Sequence, residues 1–100
     1  MNYLKYTMQT LAKTGDTEML QLFRHFDARL TALLTPTEID TYARYLLTPA
    51  ARVTGTPPTF AEQAVCRKVL ADQAATALSR QIVERLATRR RVLQDDFSPD

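Results

Sequence analysis

Four arginines near the C-terminus, Arg85, Arg89, Arg90 and Arg91, have the clearest capacity for chemistry in this chain. Along one helix they could contact the phosphates of a nucleic-acid backbone. Helix chemistry competes with that reading, because cations near a helix C-terminus are stabilised by about 0.3–1 kcal/mol. Arg90 and Arg91 point to different sides of a helix, and Asp95, Asp96 and Asp100 follow at once. Those carboxylates would repel phosphate or occupy the arginines themselves.

The remaining reactive side chains are sparse. One histidine, His25, and one cysteine, Cys66, exclude an internal disulfide and a His/Cys zinc site built by one chain. The two glycines, Gly15 and Gly55, are too far apart for a glycine-rich phosphate cradle. No Glu is followed by His three positions later, so the helix-borne di-iron motif is missing. His25 falls beside Arg24 and Arg29, off the apolar stripe, and reads as a solvated side chain. Cys66, among Val65, Val69 and Leu70, reads as a small buried hydrophobe. Tyr3/Tyr6 and Tyr42/Tyr45 are pairs at helical spacing, expected at the rim of a core with wet hydroxyls. No nucleophile–base pair, paired acids, metal ligands or cofactor site can be assembled from these residues. The expectation is a non-enzymatic protein.

The elements that carry these residues are all helical. Apolar residues recur with a 3.6-residue period, and no stretch alternates over a strand's length. Leu4, Met8 and Leu11 mark a first helix from Asn2 to Lys13, ended by Gly15. From Asp16, a stripe of Met19, Phe23, Phe26, Leu30 and Leu33 marks the second. Thr35, Pro36 and Glu38 form a capping box for a third, with Leu34 and Ile39 placed as its hydrophobic staple. Ile39, Tyr42, Ala43, Leu46 and Leu47 are its buried face, and Pro49 stops it. Thr59 and Glu62 repeat the box and open a last helix that meets no Gly or Pro before Pro99. Read as continuous over residues 60–97, it spans about 57 Å at 1.5 Å per residue. The fold class expected is a small all-α bundle of three short helices plus one long C-terminal helix. It forms a single domain over residues 1–94, with an acidic tail over 95–100.

That last helix has two apolar faces. Val65, Cys66, Val69 and Leu70 lie on one; Leu78, Ile82, Leu86, Leu93 and Phe97 lie on nearly the opposite one. Either the second half leaves the bundle and meets a partner, or a break near Asp72–Thr76 folds it back. The lack of Gly and Pro favours continuity, which would expose Leu78, Ile82, Leu86, Arg89, Leu93 and Phe97 as an interface. Arg89 falls on that stripe itself. It could snorkel past the rim, pair with Glu84, Asp95 or Asp96 of a second chain, or face a phosphate.

The run Leu34-Thr35-Pro36-Thr37-Glu38 resembles the helix opener of bacterial helix-turn-helix regulators. Ala51 and Gly55 have the spacing of that motif's small residue and turn glycine, which would make the helix from Phe60 its recognition helix. The pattern departs at Pro49, Pro57, Pro58, Ala61 and Ala64, and assigns no family.

Composition agrees with an ordinary globular domain: 100 residues, 45% apolar and 24% charged, with a net charge of +2. Residues 60–94 are basic and the last six acidic, so the charge is unevenly spread but too mild to announce a polyanion partner. No apolar run reaches membrane-spanning length, and a cytoplasmic address follows from the single thiol. The function expected is a helical protein–protein interaction module, a homo-oligomerising adaptor or regulator. Its partner would be a second copy or another helical protein, with no membrane and no cofactor. The alternative is a nucleic-acid-binding regulator using the arginines of the last helix.

Overall fold

A computed structural model describes residues 3–47 and 58–96, with side chains as far as Thr88. Among the described residues every element is a helix: α1 (Tyr3–Thr14), α2 (Thr17–Leu33), α3 (Pro36–Leu47), α4 (Phe60–Leu70) and α5 (Gln73–Asp96). The turns follow from local chemistry. Gly15 takes a φ of 76°, the left-handed conformation that ends α1. Asp16 then accepts the Met19 N–H at 3.3 Å and caps α2. Thr35 and Glu38 exchange reciprocal bonds of 3.2 and 3.1 Å at the head of α3, and Thr59 and Glu62 do the same at α4, with 3.2 and 2.9 Å.

α2 is the central element and packs against the other four helices. Its stripe of Met19, Leu22, Phe23, Phe26 and Leu30 is buried. Phe23 meets Phe26 edge to face at 6.4 Å, and Phe26 meets Tyr42 of α3 at 6.2 Å. Leu4 and Leu11 enter from α1, Ile39 and Ala43 from α3, Val65 and Val69 from α4. Both staple residues, Leu34 and Ile39, are buried in the same core.

The continuous helix expected from Thr59 onward is not what forms. α4 stops at Leu70 and a new helix begins after Asp72. On one unbroken helix, the Val65/Val69 face and the Ala75/Ile82 face would point apart. Breaking the helix lets both faces reach one core, and burial outweighs the hydrogen bonds forgone. The polar groups at the break are satisfied locally. Asp72 accepts the Ala75 N–H at 2.9 Å as the cap of α5, and the Thr76 hydroxyl donates to the Val69 carbonyl at 3.0 Å. The Arg29 guanidinium holds the same carboxylate with both arms of its fork, Nε to Oδ2 at 2.9 Å and Nη2 to Oδ1.

This clamp leaves a signature in acid. The Arg29 guanidinium, helped by the Ala75 N–H, lowers the Asp72 carboxyl from 3.8 to about 2. A depressed folded-state pKa stabilises the fold above about pH 4 and loses that contribution as pH falls toward 2. Asn caps helices about as well as Asp, so Asp72→Asn removes the charge and keeps the cap. The variant is expected to melt below the parent at pH 7, and the gap to narrow between pH 4 and pH 2. A gap unchanged with pH would rule out the Arg29–Asp72 pair as its source.

Two ion pairs fix the direction of α5. Arg29, near the end of α2, meets Asp72 before α5, and Glu18 at the start of α2 meets Arg85 at 3.6 Å. The helices therefore run antiparallel, and α5 continues past the start of α2 to Asp96. No helix among the described residues is long and apolar enough to cross a membrane.

Candidate interaction surface

The last turns of α3 and α4 and one flank of α5 enclose an open, mainly apolar groove of about 340 Å³. Leu46 comes from α3 and Leu70 from α4, while Thr76, Ser79, Arg80, Val83 and Glu84 come from α5. Helical geometry explains why Leu70 is there. Val65 and Val69 carry the buried stripe of α4, and Leu70 is turned about 100° from Val69. It is left 68% exposed. At the head of α4, Phe60 is 88% exposed.

Ser79 on the groove's lining is hydrogen-bonded on both sides. The Tyr42 hydroxyl donates to Ser79 Oγ at 2.9 Å, and Ser79 Oγ donates to the Ala75 carbonyl at 2.8 Å. Both residues are buried, so the Tyr42 hydroxyl is dry, contrary to the wet rim position expected of it. Its bond ties α3 to α5 under the groove. Tyr6 is exposed, and Tyr3 and Tyr45 are half-buried. The Arg44 guanidinium lies 5.5 Å over the Tyr3 ring.

Two further acidic side chains fasten helix to helix. Lys68 of α4 pairs with Glu38, whose carboxyl is lowered by that ammonium and by the Thr35 N–H. Asp40 accepts the Tyr3 N–H at 2.8 Å and the Arg44 Nε–H at 2.9 Å, and is lowered chiefly by the former. Cys66 is half-buried against the core, and burial, with the nearby Glu62 charge, pushes its thiol up. His25 is exposed. Among the described residues no three His, Cys, Asp or Glu side chains gather at one point.

The interface expected on the last helix changes with the break. Ile82 is 0% exposed and belongs to the chain's own core, and Leu78 and Leu86 are half-buried against it. They cover α5's inner face and are not an overhanging patch, because α5 lies back along α2. Arg85 is exposed and pairs with Glu18. Arg89, Arg90, Arg91 and Leu93 lie on the backbone of α5 past the start of α2, beyond the described side chains. Phe97 and the end of the acidic tail lie outside the described residues, as do Ala51 and Gly55. Sequence reading missed Leu46, Leu70 and Val83 as neighbours. Only the face switch of the last helix, combined with Asp72 as a cap, could have brought them together.

No protein-family model, curated protein or solved structure matches the chain.

Proposed function

We propose that the chain is a non-enzymatic, helical protein–protein interaction module, a small adaptor or regulator that self-associates. The observation that carries this reading is the open groove walled by Leu46, Leu70 and Val83. A single exposed leucine is ordinary on a protein surface, whereas here apolar residues from three helices line one groove. Covering it gains about 25 cal/mol per Å² of apolar area removed from water. A cytoplasmic address goes with this reading, since the single thiol Cys66 asks for no oxidising compartment.

Nucleic-acid binding is the second reading, favoured by the run of α5 past the start of α2 with Arg89, Arg90 and Arg91 on it. Salt separates the two. Contact through about 3–4 arginines loses affinity for duplex DNA with a log–log slope near −3, while an apolar contact holds or tightens in salt. Sedimentation of the chain at low and high salt, with and without a short duplex, is expected to show self-association that survives salt and ignores the duplex. A chain that is monomeric alone and binds the duplex in a salt-sensitive way would establish the second reading instead.

A further inference from the structure

Arg80 and Glu84 stand one turn apart on the open flank of α5, both exposed at the edge of the groove. Their spacing would let them pair with each other, but with the base ahead of the acid, the weaker order for such pairs on a helix. Among the described residues neither belongs to an ion pair, whereas Arg29, Arg44, Lys68 and Arg85 each hold a carboxylate. Val83 precedes Glu84 on the same flank, half-buried, and Ala87 follows one turn later, also half-buried. The flank therefore carries a cation and an anion that are unpaired among the described residues, around a strip of small apolar side chains.

We propose that the groove is closed by the same groove of a second copy, with the two α5 helices antiparallel across a two-fold axis beside Val83. This rests on the association reading above and identifies its partner. A two-fold axis makes every contact occur twice. If Arg80 faces Glu84 of the second copy, then Glu84 faces that copy's Arg80. One turn separates the two residues, so the pairs flank the axis at about 3 Å to either side along the helix. Val83 then falls within about 1.5 Å of the axis along the helix, on the facing flank, and Ala87 permits close approach of the two backbones. An unrelated helix would have to supply opposite charges in the matching order; a second copy supplies them by symmetry.

Charge exchange tests the pairing. In Arg80→Glu alone, two acids face two acids; in Glu84→Arg alone, two bases face two bases. Both positions are exposed, so neither change disturbs the core. Each single variant is expected to dimerise roughly tenfold more weakly than wild type at low salt, from two lost pairs and two repulsions. An equal mixture of the two should regain wild-type affinity as a heterodimer, because both cross-pairs are then attractive. The mixture is cleaner than a chain carrying both changes, in which the acid would precede the base, the order that favours pairing within one helix. Wild-type self-association that neither single variant weakens would overturn this surface and leave the association reading standing, as would weakening without recovery on mixing. A wild-type chain that never self-associates would overturn both.

Discussion

Ile82→Glu is expected to abolish the cooperative fold. Ile82 is 0% exposed and belongs to the core around α2, where α5 lies antiparallel to it. A carboxylate there leaves water with no cation to meet it, and an uncompensated buried charge costs about 3–5 kcal/mol. The methyl groups it replaces add the loss of packing, which for large core truncations runs to about 2–5 kcal/mol. Together these rival the whole stability of a small domain, about 5–15 kcal/mol. Ile82→Val, by contrast, is expected to cost about 0.5–1.5 kcal/mol and to melt cooperatively. Thermal melts followed by far-ultraviolet circular dichroism distinguish the two. An Ile82→Glu chain that melts like its parent would mean that this face of α5 looks outward.

Much of the bundle was legible because its signals are local. Thr35/Glu38 and Thr59/Glu62 announce helix starts within four residues, and Gly15 announces a stop. The stripe from Met19 to Leu30 is regular enough to mark α2 as core-facing. The break at Asp72 was not legible in the same way. No Gly or Pro marks it, and alanines on both sides have the highest helix propensity of any residue. What breaks the helix is tertiary: two apolar faces on opposite sides must share one core, and Arg29, 43 residues away, clamps the cap. The interface expectation inherited that error. With the helix continuous, Ile82 and Leu86 looked free; with it folded back, they are needed inside. The groove was hidden for the same reason, since Leu46, Leu70 and Val83 become neighbours only once α5 returns along α2.

Leu70→Glu is expected to have the opposite phenotype from Ile82→Glu. Leu70 is already 68% exposed, so the change places a carboxylate where water reaches it, and the fold stands to lose little. Its position in the last turn of α4 adds a small penalty, because an anion there opposes the helix dipole by about 0.3–1 kcal/mol. Association is the property at risk. A charge set in the wall of a groove that must become dry is left unpaired, and truncation or charging of a central contact costs about 2 kcal/mol or more. That corresponds to a dimer weakened about thirtyfold or more. Leu46 and Val83 share the groove but are partly buried, which makes Leu70 the wall residue that can be changed with the least harm to the core.

The measurement that bears most directly on association through this groove is sedimentation equilibrium of wild type and Leu70→Glu side by side. It should span a hundredfold range of concentration, with circular dichroism confirming equal helicity. Wild type is expected to rise from the mass of one chain toward that of two, while the rise of Leu70→Glu is displaced to concentrations about thirtyfold higher or more. Identical mass-against-concentration curves for the two proteins, whether both rise or both stay flat, would contradict it.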